Sequence, residues 1–197
     1  MNIYEHLING DLILVNGVIP ARTFKNIVSM NCKLNKFEWC LDFIETYKKG
    51  LPSEDQELLP QYCQGLVNFY SGNYLDSTAI FKAFIKNHHE DHFLGFESRN
   101  LLLKSFFHRF EQLDAQEYEE LQRMIESFRM NVQRNNKLSQ FHIKSYFNFL
   151  HYFKILLRHI EINGSKQPFP QDLQKEIEAL EFVTNKNWLL DVIKEKN

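Results

Sequence analysis

The residue types best suited to metal chemistry stand together in one short stretch, His88, His89, Glu90, Asp91 and His92. Catalytic zinc sites place two histidines one helical turn apart, with a glutamate base between them in the HExxH arrangement. Here two residues separate His89 from His92, and position 93, where that motif needs its second histidine, is Phe93. The pattern therefore predicts a solvated loop between helices, and we expect neither a metal site nor a cofactor.

No motif for nucleophilic or phosphate chemistry stands in the sequence. The Gly-x-Ser-x-Gly elbow, the Walker phosphate loop and the Rossmann glycine fingerprint are missing, and the seven glycines lie too far apart to build one. Adjacent carboxylates such as Glu119 and Glu120 fall in a stretch of surface composition. We predict that the protein is not an enzyme. The enzymatic alternative is a hydrolase whose site is assembled only by the tertiary structure.

The three cysteines, Cys32, Cys40 and Cys63, fall where apolar helix faces are expected. Their odd number and their lack of paired spacing argue against a disulfide framework. Cys40 takes the position of a small packing residue, which favours a buried and inert thiol. We accordingly expect a reducing compartment and a cytoplasmic protein.

Charge is distributed unevenly in the second half of the chain. Residues 111–126 carry six acids against one base, whereas residues 127–160 carry six bases and no acid. Those bases are Arg129, Arg134, Lys137, Lys144, Lys154 and Arg158. Aromatic residues are interleaved with them, a composition that nucleic-acid binders use to track phosphates and to stack bases.

Three interpretations of this basic stretch are open. Phe149 and Phe153 recur at helical core spacing, so the aromatic residues could be packing and the bases a solvated face, compensated by the acidic helix. The bases could instead contact an acidic protein, or RNA or DNA. Exposure of Arg129, Arg134, Lys137 and Lys144 on one open face would favour nucleic acid, whereas their pairing with the acids of residues 117–126 would argue against it.

Composition restricts the fold class. The chain has 197 residues with only 7 Gly and 5 Pro, and residues 97–163 contain neither, so nothing there interrupts long helices. The net charge of -2 gives no general reason to expect nucleic acid. No run approaches the roughly eighteen apolar residues that a membrane-spanning helix requires. We predict an all-α protein without a membrane partner.

Periodicity and turn signals place the helices. Pro20 suits the first turn of a helix that carries Phe24, Ile27, Val28 and Asn31 on one face. Further helices are predicted over residues 36–49, from Ser53 with a kink or second start at Pro60, and over residues 74–86, 91–110, 114–134, 139–162, 171–180 and 185–194.

One helix pattern recurs at an offset of 37 residues. Phe37, Cys40, Leu41, Ile44 and Tyr47 reappear as Tyr74, Ser77, Thr78, Phe81 and Phe84. A short repeat of this kind predicts stacked helix pairs. The pattern returns once more around Tyr118 to Phe128, at a longer offset of about 44 residues.

The second copy of this pattern fits a known helical repeat. Gly65, Gly72, Asn73, Tyr74, Ser77 and Phe81 follow the spacing G-x6-G-N-Y-x2-S-x3-F. Residues 58–91 thus resemble the tetratricopeptide repeat (TPR), which puts a small residue on its first helix where the second packs closest. The sequence departs from that family at five positions, where Gln61, Gln64, Asn68, Phe84 and His89 replace its usual Trp, Leu, Tyr, Ala and Pro.

More broadly, residues 20–160 are similar to a group of uncharacterised bacterial proteins with degenerate helical repeats. The similarity rests on Phe24-Lys25-Asn26-Ile27-Val28, Trp39-x3-Phe43-Ile44, Leu102-Leu103-Lys104 and Ser127-Phe128-Arg129. It implies a right-handed TPR-like superhelix of antiparallel helix pairs, with seven to nine helices. We predict an extended segment over residues 1–19, repeats over residues 20–162, and a linker with capping helices over residues 163–197, within a single domain overall.

The implied fold carries a functional expectation. A TPR-like stack presents a concave surface made largely by the first helix of each pair, and peptides or helices usually bind there. By that geometry the concave residues are Tyr62, Leu66 and Phe69. We predict a non-catalytic scaffold that binds a peptide or helix at this groove, unless the groove seats another element of the protein itself.

Charged residues complete the predicted binding set. Arg134 and Lys144 come from the basic stretch, while Arg99 and Lys104 could reach a ligand or merely an adjacent carboxylate. Asn26, inside an apolar helical stretch, is expected to satisfy backbone groups at a turn. The alternative function is a nucleic-acid-binding regulator that uses the basic helix of residues 129–158.

Overall fold

The computed structural model describes residues 18–87 and 92–195, and for His92 and Phe93 the backbone alone. Within these ranges the regular structure consists of nine α-helices and three short 3₁₀-helices, without a β-strand. The all-α prediction is therefore confirmed, and the nine α-helices of the described residues fall in the predicted range of seven to nine. Most of the predicted extended segment, residues 1–17, lies outside the described residues.

The helices form two compact units, which divide between Arg109 and Phe110. The first unit contains α1 (Ala21–Lys33), α2 (Phe37–Tyr47), α3 (Leu58–Tyr70), α4 (Tyr74–Asn87) and α5 (His92–His108). The second unit contains α6 (Ala115–Arg134), α7 (Gln140–Asn163), α8 (Gln171–Ala179) and α9 (Lys186–Lys194). This is a different division from the boundaries predicted at residues 19 and 162, and that domain organisation stays a prediction.

The start of α3 differs from the prediction. Ser53 begins a 3₁₀-helix, Ser53–Asp55, and the α-helix itself starts at Leu58. Pro60 therefore stands in the first turn of α3, where a backbone N–H has no partner within the helix, and it needs no kink. Of the two roles predicted for Pro60, the structure selects the second helix start.

The turns that close the first two helix pairs are copies of each other. Asn31 and Asn68, 37 residues apart, each donate a side-chain amide hydrogen bond of 2.9 Å to the carbonyl four residues back. The Asn31 carbonyl also accepts the Lys36 backbone N–H at 3.0 Å, and the Asn68 carbonyl accepts that of Asn73 at 2.9 Å. Left-handed residues then turn the chain, Asn35 with φ 57° and Gly72 with φ 81°. Residues 34–36 and 71–73 thus form equivalent turns.

The two helices of each pair meet through an equivalent contact. In the first pair the Cys40 thiol donates to the Val28 carbonyl at 3.6 Å, and in the second the Ser77 hydroxyl donates to the Gly65 carbonyl at 3.3 Å. Donor and acceptor both shift by 37 residues. The offset that recurs in the sequence is therefore also an offset between tertiary contacts.

Gly65 allows α3 and α4 to approach closely. A Cβ atom at this position would lie 2.8 Å from the Phe81 ring and 3.1 Å from the Ile80 side chain. Phe81 is fully buried, so its ring has little room to move away. Gly65 is thus a small residue at a point where α3 and α4 approach each other closely.

Contacts in the first unit join each helix to those nearest in sequence. α3 touches α1, α2, α4 and α5, and α4 packs extensively on α5. The Ser77 and Ser105 hydroxyls share a buried hydrogen bond of 3.0 Å between α4 and α5. From Leu94 to Phe107 no residue of α5 is exposed, as expected for a helix that is apolar on most sides.

The second unit is built around α7. α6 packs on α7 from one direction, and α9, which pairs with α8, also contacts α7. The Trp188 ring of α9 lies 6.3 Å from the Phe149 ring and 6.1 Å from the Phe153 ring, between centroids. Both phenylalanines are fully buried. These two aromatic residues of the basic stretch are therefore core packing, as their spacing predicts.

We expect the substitution Gly65→Ala to destabilise the protein. The added methyl group overpacks the contact with Phe81, and this outweighs the gain in helix propensity, for a net loss of about 1 kcal/mol or more. Unfolding in urea measures the effect. The double variant Gly65→Ala/Phe81→Leu should lose less stability than the sum of the single variants, because leucine vacates the space.

The matched control for this prediction is Gly95→Ala. A Cβ there would meet only the end of the flexible Arg99 side chain, at 3.1 Å. This variant should keep the stability of the parent protein or gain slightly. Equal stabilities for the Gly65 and Gly95 variants would contradict the assigned role of Gly65.

Candidate functional site

A cleft of about 600 Å³ opens in the first unit near the N-terminal ends of α1, α3 and α5. Its described lining residues are Ala21, Arg22, Lys25, Asn26, Asp55, Leu59 and Leu94. Helices α1 and α3 are the first members of the two copied pairs, and α5 follows the second pair. The cleft is thus formed where successive first helices come together.

The wall that α1 contributes is polar. Arg22, Lys25 and Asn26 are three and four residues apart, so they share one face of the helix. Arg22 and Asn26 are exposed and Lys25 is half-buried, whereas the lining residues Leu59 and Leu94 are buried and apolar. The cleft therefore combines two cations and an amide with apolar surface.

Lys25 belongs to a hydrogen-bonded group that ties three helices together. Its ammonium lies 2.8 and 3.1 Å from the two carboxylate oxygens of Glu97 on α5, and the hydroxyl of Tyr62 on α3 donates to the same carboxylate at 2.9 Å. Burial, followed by the nearby Glu97 charge, raises the pKa of Tyr62 well above its ordinary value. The phenol thus stays a donor, and Glu97 holds Lys25 in position beside the cleft.

Two more charged residues of α5 were candidates for ligand contact. Lys104 is only 8% exposed, and burial lowers the pKa of its amine from 10.5 to about 7, although the Glu97 carboxylate acts in the opposite direction. Arg99 is half-buried and donates to the Gly95 carbonyl of its own helix at 2.9 Å. Neither Lys104 nor Arg99 lines the cleft. A binding role for Arg99 stays a prediction.

The residues of the predicted concave groove are buried, which fits the alternative that the groove seats other elements of the protein, and their binding role stays a prediction. Tyr62, Leu66 and Phe69 are 3, 4 and 8% exposed, because neighbouring helices cover the part of α3 that carries them. The Tyr62 ring packs edge-on against the Phe81 and Phe84 rings, each at 5.9 Å between centroids. These side chains are interior packing, and the accessible space lies at the helix ends instead.

Sequence reasoning placed Asn31 correctly on the buried face of α1 but expected the turn contact from Asn26. Asn26, expected at a turn, lines the cleft, and Asn31, which was placed only on the apolar face, makes the turn contact. The pairing of Lys25 with Glu97 was missed altogether. The two residues are 72 positions apart, and no local pattern connects them.

The basic residues of the second unit differ in their surroundings. Arg129 pairs with Glu126 on the same helix, at 2.7 Å. Arg134, Lys137 and Lys144 are exposed, and none of them forms an ion pair with another described residue. Internal compensation of the basic stretch, one of the three interpretations, thus holds for Arg129 and not for these three residues.

A second cleft, of about 580 Å³, lies in the second unit beside the start of α6 and is rich in acids. Each of its carboxylates has an internal partner. Glu161 accepts a hydrogen bond from the Tyr118 hydroxyl at 3.1 Å, and Glu111 accepts one from the Ser165 backbone N–H at 3.0 Å. Asp114 caps α6 at 2.8 Å, and Glu119 pairs with Arg123 at 3.4 Å. Because the structure itself uses these charges, we assign no ligand to this cleft.

The side chains that could bind a metal or act as thiols are dispersed or buried among the described residues. Among them, no group of three His, Cys, Asp or Glu side chains could hold a metal ion. The predicted loop cluster of residues 88–92 lies outside the described side chains. The cysteines are buried free thiols, as expected, and the sulfur atoms of Cys32 and Cys40 are 3.8 Å apart. Their hydrogen bond raises the pKa of Cys32 and lowers that of Cys40.

No family model, curated protein or solved structure matches this chain. In the part of the chain that the structure describes, no helix is long and apolar enough to cross a membrane.

We expect Lys104 to make stability depend on pH. Between pH 7 and 10.5 the unfolded chain binds a proton at Lys104 that the folded chain does not, so the free energy of unfolding rises with pH across this window. The variant Lys104→Met lacks this contribution. The stability difference between parent and variant should change by up to about 1.4 kcal/mol per pH unit, in favour of the parent as pH rises.

Urea unfolding at several values between about pH 6.5 and pH 9 tests this expectation. The control is Lys86→Met, because Lys86 is exposed on α4 and should leave the pH dependence of the parent protein intact. A parent-minus-variant difference for Lys104→Met that stays constant across the window would contradict the assignment.

Proposed function

We propose that the first unit is a non-catalytic protein-interaction module, which binds a peptide or a helical segment of a partner in the cleft between α1, α3 and α5. The observation that carries the proposal is the position of this cleft. It is lined by the first helices of successive pairs, and the α1 wall carries the exposed side chains Arg22 and Asn26, whereas the apolar residues of the predicted groove on α3 are buried. Concave grooves with apolar surface and a few directed polar groups suit segment binding.

A TPR-like stack is the arrangement we propose for the helices. Three observations support it. The turns after α1 and α3 share one hydrogen-bond pattern, the paired helices share one side-chain contact at an offset of 37 residues, and α3 contacts both the preceding pair and the helix after α4. Gly65 and Phe81 also pack as the resemblance to this family implies.

The lining of the cleft indicates the chemistry of the bound segment. Arg22 favours a carboxylate on the partner, whereas Lys25 is already paired with Glu97 and Asp55 adds a carboxylate to the lining. Asn26 can donate to a backbone carbonyl or accept an N–H. Leu59 and Leu94 add a small apolar floor, 2 and 8% exposed, which suits contact with one aliphatic side chain. An amphipathic segment with an acidic residue next to aliphatic residues fits this combination best.

A cytoplasmic setting also belongs to the proposal. Its support is the state of the three cysteines, which are buried thiols without a disulfide. Such thiols are usual in reducing compartments.

The proposed function can be tested by selecting binders from a displayed library of random peptides. The selected peptides are then synthesised and their affinities measured. Selected peptides should share an acidic residue flanked by aliphatic residues. The variants Arg22→Ala and Asn26→Ala should weaken their binding by about fivefold to tenfold each, since each loses one charge-assisted or amide hydrogen bond. Both residues are exposed, so folding should be unaffected.

The matched control is Lys33→Ala, which removes an exposed base from the other end of the same helix. It should leave peptide affinity unchanged. Failure to select any peptide, or equal losses for Lys33→Ala and Arg22→Ala, would refute binding at this cleft.

A further inference from the structure

A different surface, in the second unit, combines an exposed aromatic ring with cations. Phe141 lies in the first turn of α7 and is 52% exposed. Its ring meets the Phe182 ring at 4.8 Å between centroids, at an angle of 71°. Lys144, one helical turn after Phe141, places its ammonium 5.4 Å from the centre of the Phe182 ring. The three side chains form one continuous cluster.

The loop that carries Phe182 is fixed on α7. The Asn148 side-chain amide donates to the Phe182 carbonyl at 2.7 Å, and the Thr184 N–H donates to the Ser145 carbonyl at 3.1 Å. The Lys186 ammonium donates to the carbonyls of Glu178 and Leu180, at 2.7 and 2.8 Å, and so holds the chain just before the loop. The pair of rings is therefore preorganised, and a ligand would not have to order it on binding.

Further cations stand close to Phe141 in the sequence. Arg134 ends α6 and Lys137 stands in the turn before α7; with Lys144 they supply three exposed cations that form no ion pair with other described residues. Residues 127–160 contain no acid, and Glu181 is the one acid in the loop that carries Phe182. The local balance is thus positive although the whole chain has a net charge of -2.

We propose that this surface, the Phe141 patch (Phe141, Phe182, Lys144, Lys137 and Arg134), binds single-stranded nucleic acid. A single strand offers a phosphate at each nucleotide for the cations and an unpaired flat base for the exposed ring. In a duplex the bases are stacked on one another and cannot reach the ring. An acidic peptide would satisfy the cations but offers no regular partner for the half-exposed phenyl ring. The proposal is independent of the peptide cleft in the first unit.

Fluorescence anisotropy of labelled single strands of about 15 nucleotides, with oligo-dT and oligo-U as the probes, tests the proposal on the full chain. Saturable binding should weaken with salt, and the logarithm of the association constant should fall with a slope of about -2 against the logarithm of salt concentration, as expected for three phosphate contacts. A duplex of the same length should bind about tenfold more weakly.

Substitutions separate the stacking contribution from the electrostatic one. Phe141→Ala should weaken binding by about tenfold with an unchanged salt slope, since it removes one stacked base. Lys137→Ala/Lys144→Ala should weaken binding and bring the slope to about -0.7. Glu181→Gln should tighten binding, a gain that damage to the fold cannot mimic.

Matched controls come from the far end of α7. Ile162→Ala removes another exposed apolar side chain, 67% exposed, and Lys166→Ala removes another exposed base. Both should bind the single strands like the parent protein, and circular dichroism checks that each variant is folded.

Three outcomes would overturn the proposal. The first is the absence of saturable binding at low salt. The second is equal affinity of Phe141→Ala and the parent protein, which would leave only non-specific attraction of a polyanion. The third is competition by poly-glutamate as strong as that by unlabelled oligo-dT, which would assign the patch to an acidic protein.

Discussion

The architecture of the first unit depends on how the chain reverses direction between paired helices. At each reversal an asparagine near the end of the first helix uses its side chain on its own helix and its carbonyl on the following turn. The left-handed residues that follow, Asn35 and Gly72, set the direction of departure. The turn conformation fixes the position of the second helix against the first. The contacts of Cys40 and Ser77 with the first helices depend on that position.

Helix type and position could be read from the sequence because they depend on local features. Apolar spacing and a start signal such as Pro20 act within a few residues, and the structure has helices where they predict them. The repeat was also visible, because the two copies keep matching positions, of which Cys40 and Ser77, and Ile44 and Phe81, are buried in both. The first turn of α3 was misplaced, since Ser53 offers a start signal that the chain uses only for a 3₁₀ turn.

The candidate sites were harder to predict because they depend on distant residues. Whether Tyr62 faces a groove or the interior is decided by helices that come later in the chain and cover it. Lys25 meets Glu97 only after five helices have packed, and Phe182 comes beside Phe141 only because its loop is anchored on α7. The sequence contains these residues, but no spacing rule links them.

The neighbour-to-neighbour contacts of the first unit have a consequence for how it folds. The contacts between α1 and α2 and between α3 and α4 join residues that are near in sequence, and the longer connections reach from one first helix to the next. Helical proteins rich in local contacts close short loops first and fold fast, because little chain entropy is lost before contacts form. Each copied hairpin can therefore nucleate by itself, and α5 completes the unit by docking onto a surface that already exists.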